Sequence, residues 1–137
     1  METTIHILLI ARPGIHRNGL AGVIAALPRA RLQFAECNPA SVQVALSQET
    51  PKLVLVDTRL PDKNLLKAIT LIKSSAPAAK VIMLVDHISQ YSIARSYGAD
   101  DVLSHGTTTG DFLAAVADQV TNRHQARSKS IIPAYLN

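Results

Sequence analysis

The stretch Leu53-Val54-Leu55-Val56-Asp57-Thr58-Arg59-Leu60-Pro61 decides the fold. Its first four residues are apolar without alternation, the pattern of a strand buried on both faces rather than one with a wet side. The run stops at an acid, and a turn segment closed by a proline follows. The Asp57 carboxylate is therefore expected at the carboxyl end of an interior strand. In open α/β sheets that edge is where ligands and reacting groups gather.

Working outward, Thr4 to Ile10 and Val81 to Val85 repeat the same strand-like pattern, while Arg31 to Ala35 alternates as an edge strand does and Asp101 to Ser104 is a short fifth run. Helical spacing fills the gaps. It covers Ile15 to Leu27 through Ile15, Leu20, Val23, Ile24 and Leu27, and continues with Val42, Ala45 and Leu46 after the cap signal Asn38-Pro39. It returns with Leu65, Leu66, Ile69 and Ile72 before Pro77, then over Ile88 to Tyr97 up to Gly98. Thr108-Thr109-Gly110-Asp111 resembles a capping box ahead of Phe112, Leu113, Val116 and Val120. Five strands and five helices in strict alternation predict a three-layer α/β sandwich with a parallel sheet covered on both faces.

Composition narrows the setting. A chain of 137 residues with 47% hydrophobic content supports one domain with a real core, here residues 5–122, and leaves 123–137 as a basic linker or carboxy-terminal tail. Arg123, Arg127 and Lys129 lie in that tail without an acid, so they account for all but one of the net +4 charges. A solvated linker explains such a run better than a nucleic-acid contact. The single cysteine, Cys37, excludes an internal disulfide and points to a reducing, cytoplasmic compartment. The apolar stretch Ile7 to Ala11 is too short for a signal peptide or a membrane span.

Three motifs in order give the chain from about Ile5 to Val120 a family resemblance. The run Ile7-Leu8-Leu9-Ile10-Ala11-Arg12-Pro13-Gly14-Ile15-His16-Arg17-Asn18-Gly19-Leu20, the Asp57-Thr58-Arg59-Leu60-Pro61 segment, and Tyr97-Gly98-Ala99-Asp100-Asp101-Val102-Leu103 resemble the receiver domain of two-component response regulators. The likeness is to the subfamily that carries a carboxy-terminal helix-turn-helix. It implies a flavodoxin-like topology, a signalling module rather than an enzyme, and Asp57 as the equivalent of the family's phosphoacceptor.

The departures from that pattern shape the functional expectation. The family's two acids after the first strand, which hold a divalent cation, fall on Ala11 and Arg12. Its phosphoryl-contacting hydroxyl falls on Val85, its rotating aromatic on Val102, and its lysine on His105. Phosphoryl transfer rests on positioned, neutralised charge, and magnesium wants several oxygen ligands. No cofactor is expected, and magnesium binding is expected to be weak or absent. Arg12 is a candidate to pair with Asp57 in place of the metal. His87 and His105 follow strands at the same edge, with Asp86 beside the first, but no spacing in the chain supports a metal site; His6, His16 and His124 form no pattern.

The family's docking and dimerisation face is the fourth helix, fifth strand and fifth helix. Tyr91, Tyr97 and Phe112 fall there as interface candidates. The expected function is a phosphorylation-independent interaction module of a transcriptional regulator. It would meet a protein partner or a second copy through that face, touch DNA only through a separate domain, and have no membrane contact. The alternatives are a working receiver phosphorylated on Asp57 by a histidine kinase, and a flavodoxin-like small-ligand binder. Against the last, neither a G-x-G-x-x-G nor a P-loop occurs.

Overall fold

A computed structural model describes residues 4–57 and 62–121. The motif residues Thr58 to Pro61 and the tail 123–137 lie outside the described residues. Five strands, β1 (Ile5–Ile10), β2 (Ala30–Ala35), β3 (Leu53–Asp57), β4 (Lys80–Val85) and β5 (Asp101–Ser104), alternate with five helices. The helices are α1 (Ile15–Ala25), α2 (Pro39–Gln48), α3 (Lys63–Ser75), α4 (Tyr91–Ser96) and α5 (Thr109–Val120). The strands form one parallel sheet in the order β2-β1-β3-β4-β5.

The unbroken apolar runs are explained by where their side chains go. Leu8, Ile10, Val54, Val56, Val81, Met83, Val85 and Val102 face one layer, packed with Val42 of α2, Leu65, Ile69 and Ile72 of α3, and Tyr91 and Ala94 of α4. Their neighbours Ile7, Leu9, Leu53, Leu55, Ile82, Leu84 and Leu103 face the other, against Ile24 of α1 and Phe112, Ala115 and Val116 of α5. Each fully buried aliphatic side chain contributes about 1.5–3 kcal/mol of transfer free energy. A polar residue anywhere in these runs would forfeit that contribution and leave a group unpaired.

The helix starts follow the expected chemistry. Asn38 Oδ1 accepts from Ser41 N at 2.8 Å, with Pro39 in the first turn, and Thr108 Oγ1 accepts from Asp111 N at 3.1 Å. Asp62 caps α3, its Oδ1 accepting from Asn64 N at 2.8 Å. One detail is added and one expectation is corrected. Ile15, counted with Leu20, Val23, Ile24 and Leu27 among the apolar residues that mark the helix, is 88% exposed at the first turn of α1, where the chain has just left the sheet through Gly14 at φ +148°. The single helix expected over Ile88 to Tyr97 is a 3-10 turn, Ile88–Gln90, followed by a short α4. There the Gln90 side chain turns back on the backbone, its Oε1 accepting from Asp86 N and His87 N at 3.0 and 3.1 Å.

Candidate functional site

Three neighbouring strands, β3, β4 and β5, end together at one edge of the sheet. Asp57 pairs in register with Leu84, and Val85 with Ser104. The residues one step further on, Asp86 and His105, therefore stand opposite each other beside the end of β3. The backbone N–H of His105 donates to Val85 O at 3.0 Å, and Thr107 N donates to Ser104 O at 3.0 Å, so the start of the loop is fixed.

The side chains form a chain of three. His105 Nε2 lies 2.6 Å from Asp57 Oδ1, and His105 Nδ1 lies 2.8 Å from Asp86 Oδ1. Ionised carboxylates only accept, so meeting both contacts takes an N–H on each ring nitrogen, which is the imidazolium form. Such charge-assisted bonds are shorter and stronger than neutral ones. The acids differ in access to water: the Asp57 side chain is 14% exposed and that of Asp86 55%. The His16 ring, at the start of α1, stands 6.5 Å from that of His105, tilted by 44°.

The structure puts a different side chain beside Asp57 from the one expected. Arg12 is exposed and forms no ion pair with Asp57. Ala11 N donates to Ala35 O at 3.1 Å, so the segment leaving β1 runs along β2, on the opposite side of β1 from β3. The histidine at the position of the missing lysine is the group that reaches the carboxylate.

The other candidate positions fall inside the fold. Val85 and Val102 are both fully buried, in the layer that holds α4. Neither offers a hydroxyl or a ring with room to turn. Tyr91 and Phe112, candidates for a docking surface, are each only 5% exposed and pack into opposite layers. Tyr97 is half-buried, and its hydroxyl accepts from Asp62 N at 3.3 Å. The exposed apolar residues of this region are instead Ile88 and Ile93, at 40% and 38%. Aromatic rings at helical spacing follow the core unless something else holds them out.

The two residues that leave β1 offer no side-chain oxygen donor for a divalent cation. Such an ion wants several oxygen donors, whereas the residues that leave β1 are Ala11, buried and apolar, and the cation Arg12. Among the described residues, no group of three or more His, Cys, Asp or Glu is arranged to hold a metal ion. No helix of the described residues is long and apolar enough to cross a membrane.

The sequence brings Asp86, His87 and His105 to the same edge as Asp57 only as weak metal-ligand candidates; the Asp57–His105–Asp86 chain of hydrogen bonds, which leaves His87 out, is not read from it. The signal lies in the parallel register. Once β3, β4 and β5 are adjacent, the first polar residues beyond their ends must face one another.

Solved structures carry the same architecture. A response regulator receiver domain protein of Methanospirillum hungatei, described as CheY-like, superposes with TM-score 0.72 at 14% identity, over 90% of this chain and 98% of its own. A two-component response regulator of the LuxR family from Aurantimonas sp. gives 0.74 at 19%, over 87% and 86% of the two chains. RcsB from Salmonella enterica serovar Typhimurium, bound to a promoter in the presence of the phosphomimetic beryllofluoride, gives 0.73 at 13%, over 96% of this chain and 67% of its own. No protein-family model and no curated protein matches the sequence. The fold is thus the receiver fold of response regulators, as the motifs implied.

Proposed function

We propose that this chain is a phosphorylation-independent receiver, a signalling and protein-interaction module of a transcriptional regulator. The observation that carries this reading is the bridge of His105 between Asp57 and Asp86, at 2.6 and 2.8 Å. A phosphoryl acceptor needs a free carboxylate oxygen with concentrated positive charge around the incoming group. Here one oxygen of Asp57 is engaged by an imidazole, and Ala11 and Arg12 give no oxygen donors for magnesium. The relay that would carry a local charge change outward is replaced by two core valines, Val85 and Val102. A switch acts by biasing a bistable element, and a packed aliphatic pair has no second state to occupy.

Output then comes from protein contact. The partner is a regulatory protein or a second copy of this chain, meeting the surface of α4, β5 and α5, with DNA contacts made by a separate domain. A working receiver phosphorylated on Asp57 by a histidine kinase is the second reading, favoured by the place of Asp57 at the carboxyl end of β3. The test is incubation with acetyl phosphate and magnesium, followed by intact-mass measurement. The unmodified mass is expected throughout. A phosphoryl adduct that disappears in Asp57→Asn would establish the second reading instead.

A further inference from the structure

We infer that the input of this site is a proton on His105, which locks or releases the segment between β4 and α4. The inference rests on the reading that Asp57 works without phosphorylation, and it names the regulation of that same site. Histidine is the side chain whose charge ordinarily changes in the physiological range, and here it stands where the receiver pattern has a permanently charged lysine. The charged or titratable side chains in contact with its ring or stacked near it are Asp57 at the end of β3, Asp86 after β4 and His16 at the start of α1, and His87 follows Asp86 in the chain.

The two contacts do not share the same fate when the proton leaves. A neutral imidazole keeps one N–H and turns a lone pair outward from its other nitrogen. The closer partner is Asp57, 14% exposed, while Asp86 is 55% exposed and readily hydrated. The remaining N–H therefore stays on Nε2 toward Asp57. The lone pair on Nδ1 then faces the carboxylate of Asp86, two acceptors meet, and Asp86 leaves for solvent.

Asp86 is tied to the turn on its carboxyl side. Its backbone N–H and that of His87 share Gln90 Oε1, at 3.0 and 3.1 Å, and this bond closes the turn Ile88–Gln90 ahead of the six-residue α4. The same segment presents the half-exposed Ile88 and Ile93. Protonated His105 thus holds one setting of this apolar surface, and deprotonation frees it.

The test is a pH titration of the isotope-labelled 137-residue chain by NMR, following the His105 ring together with the amides of Asp86, Ile88 and Gln90. A His87→Gln control is run alongside, because His87 is the first residue of the same turn. The amides are expected to shift with the midpoint of the His105 ring and to lose that shift in His105→Gln and in Asp86→Asn. His105→Lys is expected to hold them at their low-pH positions throughout. Amides that stay still, that follow His16 instead, or that titrate unchanged in Asp86→Asn would overturn the inference. A phosphoryl adduct on Asp57 would sink the underlying reading, whereas stationary amides without an adduct would sink the proton input alone.

Discussion

Strand β5 has an acid-and-cation cluster at each end, and the two are built differently. Before its first residue, the Asp100 carboxylate accepts from Val81 N at 2.8 Å and pairs with Lys73 Nζ at 2.9 Å. Beyond its last, His105 spans Asp57 and Asp86. The first cluster satisfies the backbone donor of the fully buried Val81 with a carboxylate and adds the amine of Lys73. The second, among the described residues, is made of side chains and depends on a histidine. One end of the strand is architecture. The other is a contact that chemistry in solution can make or break.

The largest effect should come from the architectural end. Asp100→Ala leaves Val81 N without its acceptor, and an unpaired buried donor costs about 1–3 kcal/mol; a lower denaturant midpoint at unchanged slope is expected. Asp100→Asn, which keeps an oxygen, is expected to recover part of the loss. If Asp100→Ala unfolds at the wild-type midpoint, the two clusters are not distinct in kind.

Putting an aromatic back into the middle of β5 sharpens the same contrast. Val102 is fully buried against the α4 layer, so Val102→Tyr overpacks it at about 1–3 kcal/mol. Thermal denaturation reads this directly. A stabilised Val102→Tyr would mean the position retains room for a rotating ring, contrary to the packing described.

At the other end, His105→Ala is expected to cost about 1 kcal/mol, because Asp86, 55% exposed, is hydrated once released and only Asp57, 14% exposed, loses a partner in a less wet place. The same denaturation experiment checks it. A cost equal to that of Asp100→Ala would make the site structural. Smallest of all, Arg12→Ala is expected to change stability by less than about 0.5 kcal/mol, as for surface substitutions, since Arg12 is exposed and pairs with no acid among the described residues. A larger loss would return Arg12 to the role that His105 holds.

The fold is legible in the sequence because buried parallel strands leave little freedom in composition. Leu53 to Val56 and Val81 to Val85 are apolar at every position since helices cover both faces, and the caps at Asn38 and Thr108 mark their helices by side-chain chemistry. Position along the chain is also enough to place Asp57. The partner of Asp57 is not legible in the same way. His105 reaches it across β4 from 48 residues away, and local spacing carries no such information; only the strand order and register do. The exposure of Ile15 is not legible for a related reason: periodicity marks a helix face but not whether its first turn overhangs the sheet, where this residue is 88% exposed. Tyr91 and Phe112 suit core and interface equally by type, and their burial is decided by packing.

On the proposed reading, the carboxylate of Asp57 answers to His105 and not to a phosphoryl group. The most direct measurement is an amide NMR titration with magnesium alone, then with magnesium and beryllofluoride, an analogue of an acyl phosphate on aspartate. A spectrum that stays unchanged at both steps is expected. Shifts that start at Asp57 and spread through β4 and β5 would contradict it.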